Sequence, residues 1–155
     1  MTLAELITSN RVIADMQANE HWPAIEELVS HLVDNGILAE PLKERTLKAL
    51  RIREDQRSTG IGGGIAIPHC FIEDLEEVVA VFGRSIEGID FCSLDRAPVH
   101  FVVLFLVPES QYTAHLKTLA AIAKTLNSAE TRSQLTDASG ADELIDILSL
   151  KASSV

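Results

Sequence analysis

Positive charge is what this chain has little of. Its 13 Lys and Arg stand against 23 Asp and Glu, a formal net charge of −10. Nucleic-acid backbones are held by basic patches, so this balance argues against DNA or RNA as a partner. The acidity suits a basic protein partner, through complementary fields that speed encounter, and it suits plain solubility just as well. Cysteine is scarce too: Cys70 and Cys92 are the only two. Nothing in them looks like a secreted disulfide framework, which points to reduced thiols in a cytosol. Long apolar runs are missing, the longest being Phe101 to Val107, far short of the roughly 18 residues of a membrane span. The opening Met-Thr-Leu-Ala-Glu has no basic region followed by an apolar stretch. The expectation is a cytoplasmic protein that is not membrane-embedded.

Several chemical signatures are absent as well. His21, His31 and His100 make no H-x-x-H or H-x-x-x-H spacing with one another, so no metal site is expected. A P-loop needs a lysine after its glycines, and none follows them here. A dinucleotide fingerprint needs G-x-G-x-x-G ahead of a helix, whereas Gly60-x-Gly62 meets Ile65 at the third place and leads into a β-type run. No cofactor is implied.

What remains is ordinary in bulk and unusual in one place. A chain of 155 residues with 46% hydrophobic content suits one soluble domain and buries about 68–70% of its unfolded surface. Four of its eight glycines (Gly60, Gly62, Gly63 and Gly64) fall within Arg53 to Cys70. Glycines let polar groups approach main-chain N–H donors. The short run Ile65-Ala66-Ile67 follows, and Pro68-His69 ends it, so a stiff frame presents His69 at a strand end. A histidine held that way, with Arg53 sixteen residues upstream, suggests chemistry on a phosphoryl or carboxylate group. From the residues alone, a Gly-rich turn with an incidental histidine accounts for the segment equally well.

The rest of the chain reads as alternating helices and strands. Thr2-x-x-Glu5 can cap a short helix over Leu3 to Ile7, and Arg11 to Ala14 reads as a short strand. Trp22-Pro23 opens an amphipathic helix whose Ile25, Leu28, Val29, Leu32 and Val33 form one stripe, and Asn35-Gly36 ends it. A further helix fits Pro41 to Leu50, with Leu42 and Leu47 inward. Val78 to Phe82 reads as a strand, broken by Gly83 and the Glu87-Gly88 turn. Val99 to Val107 is apolar on both alternating faces apart from His100, the pattern of a central strand covered on both sides. Asp95 and Arg96 fit a turn. Helices are expected over Gln111 to Leu126, Ser128 to Thr136, and from Ser139, with Asp142 as its capping partner and Leu144, Ile145 and Leu148 inward. The predicted fold is α/β, a sheet flanked by helices on both faces. Residues 1–150 are expected to form a single domain and 151–155 a short tail.

Arg53-Glu54, then Ser58-Thr59-Gly60-Ile61-Gly62-x-Gly64-Ile65-Ala66-Ile67-Pro68-His69, and further on His115-Leu116-x-x-Leu119-Ala120-x-Ile122-Ala123, resemble the enzyme IIA domain of the bacterial phosphotransferase system. The class is the fructose–mannitol one, and within it the nitrogen-related regulatory members. Gly88-Ile89-Asp90-Phe91 and the apolar run before Pro108 also fit, so the resemblance covers about residues 1 to 150. It departs at Cys70, where the family usually has glycine. The resemblance implies a single mixed, mostly parallel sheet, and a phosphotransferase that carries phosphohistidine for sugar transport or nitrogen regulation. His69 would accept a phosphoryl group from the phosphocarrier HPr through Nε2. It would pass that group to a IIB domain, or use it as a signal to a regulated transporter or kinase. His115 would donate an N–H to the phosphoryl oxygens, and Arg53 would share their charge.

Without the resemblance, His115 reads as a core histidine with a satisfied hydrogen bond, on one helical face with Leu119, Ile122 and Leu126. Arg51 and Arg57 read as a solvated cluster. A regulatory binding module governed by the state of His69 is the alternative function, favoured by the lack of any appended IIB or membrane segment. A hydrolase using Cys70 with His115 as base is disfavoured, because extended alternation turns Cys70 away from His69 and keeps Phe71 on the His69 side.

Overall fold

The computed structural model describes residues 6–56, 59–93 and 95–153. The capping box at Thr2 and most of the helix expected with it lie outside those residues, as do Arg57 and Ser58. The strands are β1 (Val12–Ile13), β2 (Gly60–Gly62), β3 (Ile65–Ala66), β4 (His69–Ile72), β5 (Val79–Ile89) and β6 (Val99–Pro108). The helices are α1 (His21–Asp34), α2 (Lys43–Gln56), α3 (Tyr112–Leu126), α4 (Ala129–Asp137) and α5 (Ala141–Ser153). All six strands form one mixed sheet in the order β1-β5-β6-β3-β2, with β4 also paired to β6. The β1–β5, β3–β6 and β4–β6 pairings are parallel, and β2–β3 and β5–β6 antiparallel.

The strand expected to be central is central. Along β6, Phe101, Val103, Phe105 and Val107 pack on one face with Phe82, Ile122, Leu126, Leu135, Leu144 and Leu148. Val102, Leu104 and Leu106 pack on the other with Ile25, Leu28, Leu32 and Leu50. One face is thus roofed by α1 and α2, the other by α3, α4 and α5. The α1 stripe is buried except for Val33, which is only partly covered, and Gly36 at φ +71° follows the helix in the left-handed conformation that glycine tolerates.

Three expectations are corrected. The helix predicted to stop at Leu50 runs on to Gln56, after a 3₁₀ turn over Glu40–Leu42. Its buried line is Thr46, Leu50 and Glu54, two of them polar, while Leu42 and Leu47 are only partly covered. Gly83 does not break β5: a Cβ there would lie 2.4 Å from Met16 Sδ and 3.0 Å from Leu28 Cδ2, so the glycine admits α1 and Met16 to the sheet. Gly88, at φ +100°, sits in a stretch where the β5–β6 register shifts between Arg84 and Ile89, a bulge rather than an end. The last helix begins at Ala141 rather than Ser139. Glu143, not Asp142, takes the Ser139 N–H, and the helix includes residues read as a tail.

Gly83→Ala is expected to cost about 1–3 kcal/mol, the usual range for overpacking. The extra methyl competes with Met16 for the same space, so Met16→Ala should recover part of that loss in the double variant. Urea unfolding of the four proteins in the cycle checks this, and strict additivity would refute the steric account.

Candidate functional site

The glycine segment works through a strand that is interrupted without leaving its partner. Ile65–Ala66 pair with Phe101–Val102, and His69–Ile72 pair with Phe105–Pro108. The break falls at Ile67-Pro68, because proline has no N–H to offer the ladder. His69 therefore begins a second strand rather than closing the first. Pro68 still accepts from Phe105 N at 2.9 Å, while Ile67 N turns away to Thr59 O at 3.1 Å.

Ile67 also supplies the carbonyl that meets His69 Nδ1 at 2.8 Å. A carbonyl only accepts, so Nδ1 carries the proton and Nε2 holds the lone pair of the neutral ring. Burial is the main cause that pushes the His69 imidazole below its ordinary range. The Ile67 bond and Glu54 oppose the shift, and the Arg53 charge adds to it. The ring is thus neutral near pH 7, with Nε2 available as a nucleophile.

Glu54, next to Arg53 at the end of α2, anchors the other side of the segment. Its carboxylate accepts from Thr59 N at 3.1 Å, from Thr59 Oγ1, and from His21 Nε2 at 2.9 Å. Burial alone would raise this carboxyl, but the bonds from His21 and Thr59 outweigh it and hold Glu54 below the usual range. His21 is packed in turn against Phe91, with ring centroids 4.1 Å apart.

The sequence-predicted residues come together. A cleft of about 280 Å³ is lined by Arg53, His69, His115, Phe71, Tyr112 and Leu116, among others, and floored by Phe105 and Val107. Along α3, Leu119, Ile122 and Leu126 face the core, and His115 crowns that stripe as the period predicts. Its Nε2 meets Gln111 Oε1 at 3.0 Å, while its Nδ1 is buried without a partner. A satisfied core histidine would not leave that atom bare. Phe71 is 41% exposed and packs edge-on against Tyr112, with centroids 4.3 Å apart.

Other candidates fall elsewhere. Cys70 lies in the α1–α2 core, on the opposite face from the cleft, and burial pushes its thiol up to about 12, so it does not serve as a nucleophile. Arg51 is exposed, as expected, and lies over the Trp22 ring at 4.8 Å. His31 Nε2 meets Asn10 O and His100 Nδ1 meets Ser85 O, both at 2.8 Å. Asp95 turns back to Ala97 N and also takes Gly63 N. The sequence reading did not single out Gln111, Thr59 or His21. Gln111 stands four residues before His115, a helical neighbour position that could have flagged it.

Nitrogen-edited NMR of the imidazole rings is expected to show His69 as the Nδ1–H tautomer, titrating below the ordinary histidine value of about 6.5. Arg53→Met removes one cause of that depression and should move the titration upward. A protonated Nε2 at pH 8, or an unchanged midpoint in the variant, would contradict this electrostatic picture.

Over residues 5–151 the sequence matches the family described as "Phosphoenolpyruvate-dependent sugar phosphotransferase system, EIIA 2". It is 35% identical over 148 residues to the fructose-specific EIIABC component of the phosphotransferase system of Bacillus subtilis, covering 96% of this chain and 23% of that protein's length. It therefore spans about a quarter of that relative. The crystal structure of nitrogen regulatory protein IIA-Ntr from Neisseria meningitidis superposes with a TM-score of 0.85 at 28% identity, covering 94% of this chain and 98% of that one. The Escherichia coli mannitol enzyme IIA, solved in complex with phosphorylated mannitol enzyme IIB, shares the fold. Its TM-score is 0.75 at 19% identity, covering 92% of this chain and 96% of that one.

Proposed function

Since the chain belongs to the phosphoenolpyruvate-dependent phosphotransferase EIIA 2 family and is a phosphoryl carrier of that system, we propose that His69 Nε2 is the atom that carries the phosphoryl group. The single observation behind this reading is the His69 Nδ1–Ile67 O hydrogen bond, at the edge of a cleft shared with Arg53 and His115. The donor is an HPr-type protein bearing phosphohistidine. The Nε2 lone pair attacks phosphorus, the donor's N–P bond breaks, and its electron pair returns to the donor imidazole. The His69 ring becomes a phosphoimidazolium whose Nδ1–H stays on Ile67 O, a bond strengthened by the ring's new charge. Onward transfer reverses the step, as an acceptor nucleophile takes phosphorus and the pair returns to Nε2.

Arg53 and His115 stabilise the charge on the transferring oxygens. Phosphoryl transfer asks a protein mainly for position and electrostatic support, so these groups suffice. His115 moves Nε2–H from Gln111 to the oxygens. The acceptor is a IIB-type domain, in keeping with the IIB complex of the mannitol neighbour. A cytoplasmic site of action is part of the same proposal, in keeping with the phosphoenolpyruvate dependence in the family's description. Among the described residues no helix is long and apolar enough to cross a membrane.

A regulatory use of the same site is the second reading, and the exposed rim favours it. Phe71, Tyr112 and Leu116 are 41%, 44% and 45% exposed around His69, an apolar ring on which a partner can land. By analogy with phosphoserine, a phosphoryl group adds roughly −1.5 to −2 charges at its centre, and a partner not built for that charge is repelled.

Incubation with enzyme I, HPr and phosphoenolpyruvate should add one phosphoryl group, acid-labile and alkali-stable, on His69. Label on another residue, or label retained in His69→Ala, would overturn the assignment. Arg53→Lys and His115→Ala should each slow transfer, by roughly 10²-fold where one aimed donor is lost. Lysine keeps the charge but loses the planar fork. For the regulatory reading, His69→Ala should retain partners in a pull-down that His69→Asp loses. Equal recovery of every partner leaves His69 a carrier alone.

A further inference from the structure

A second cavity opens on the same face of the sheet, four residues along β6 from the His69 cleft. It measures about 150 Å³ and is lined by Arg84, Ser85, Ile86, His100, Phe101 and Thr136. Neither the phosphoryl chemistry nor the folding of the glycine segment uses it.

Arg84 is the unusual wall. It projects from β5 beneath α4 and is only 4% exposed. Its Nε donates to Ala14 O at 3.0 Å, and its Nη1 to Leu135 O at 2.9 Å and Ala138 O at 2.6 Å. Nη2 bears two more N–H donors, and no described residue accepts from them. Among the described residues no carboxylate lies within ion-pair distance of Arg84 either. Glu143 feels the Arg84 charge, but its carboxylate is engaged by the Ser139 N–H. Two of the three carbonyls that Arg84 meets, those of Leu135 and Ala138, lie at the end of α4, where a helix supplies about half a negative charge. A buried unit charge is therefore compensated in part only, and such a charge is costly unless it is paired.

The neighbours suit a ligand that completes the pairing. His100 donates Nδ1–H to Ser85 O at 2.8 Å, which leaves Nε2 of the neutral ring an acceptor only, so the donors for an oxyanion are those of Arg84. The two N–H groups left on Nη2 diverge, so they offer charge-assisted donors to single oxygens of a carboxylate or a phosphate rather than a parallel fork. At about 150 Å³ the space is below the ~300–1,000 Å³ of sites for larger organic ligands, which excludes a nucleotide and admits a small acid. We propose that this cavity is a second ligand site, which takes a small oxyanion, a carboxylate or inorganic phosphate, on the Nη2 donors of Arg84.

The proposal does not depend on His69 carrying a phosphoryl group, and separate resonances distinguish the two clefts. The full-length chain, labelled with nitrogen-15, is titrated with sodium acetate and separately with sodium phosphate at constant ionic strength. The expected result is saturable shifts at Arg84 Nε–H and the Ser85 and Thr136 amides with at least one probe. Response to acetate alone assigns a carboxylate ligand, and response to phosphate alone assigns a phosphate. Thr136 lies on the exposed side of α4, so Thr136→Phe fills the cavity without removing any Arg84 bond and should weaken binding at least about tenfold. Arg84→Lys, which keeps the charge and loses the Nη2 donors, should weaken it as well. Shifts that never saturate, that arise only at Arg53 and His69, or that persist unchanged in Thr136→Phe would overturn the proposal and leave Arg84 a clamp on the end of α4.

Discussion

Beside β6 the chain must run through Ile67 and Pro68 with one rung of the ladder missing, and the site is built out of that gap. Proline brings no N–H, and the backbone groups of Ile67 on its other side are freed from regular pairing. Buried backbone groups need partners, and these find two. The Ile67 amide takes Thr59 O, which fixes where the glycine segment lies. The Ile67 carbonyl takes His69 Nδ1, which fixes the tautomer. A regular ladder would have consumed both groups and left the imidazole free to rotate.

From that gap the restraint passes outward through Glu54. Its carboxylate binds both the amide and the hydroxyl of Thr59, so the end of α2 and the start of β2 move together. Arg53 is the preceding residue, so the anchor that positions the glycine segment also sets the arginine at the cleft. A buried carboxylate is acceptable only because its acceptor sites are filled, and a half-satisfied network would be worse than an apolar contact. The result is local: in a chain of net charge −10, the described residues lining the cleft include one arginine, two histidines and no carboxylate.

Elements defined by apolar period were legible in the sequence. The α1 stripe, the double-faced β6 and the His115 face of α3 each follow from spacing alone. The elements misjudged have polar or missing side chains at their packed positions. The second half of α2 buries Glu54, which no hydrophobic pattern reveals, and it does so because Thr59 and His21 lie across from it. Glycine at position 83 reads as a breaker, yet its lack of a side chain is what lets Met16 and Leu28 approach. The pairing of His69 with His115 was legible only through a family resemblance. Forty-six residues separate them in the chain, and β6 brings them together by pairing with β4 and leading directly into α3. Gln111 and the partnerless Nδ1 of His115 depend on side-chain placement that no spacing encodes.

The choice of a carbonyl as the partner of His69 bears on what the site can do. A carboxylate at Nδ1 would favour the charged ring and raise its pKa, as opposite charges do. The neutral nucleophile would then be scarce near pH 7, while the phosphorylated ring would be held more tightly. The Ile67 carbonyl orients the ring and retains the proton at a smaller cost in basicity, and burial together with Arg53 drives the pKa down rather than up. Both directions of transfer stay accessible: a lone pair ready to attack, and a cationic phosphorylated ring ready to leave. A hydrolase would want a site that commits phosphorus to water. A carrier wants one whose two states lie close in free energy, and a neutral acceptor at Nδ1 keeps them close.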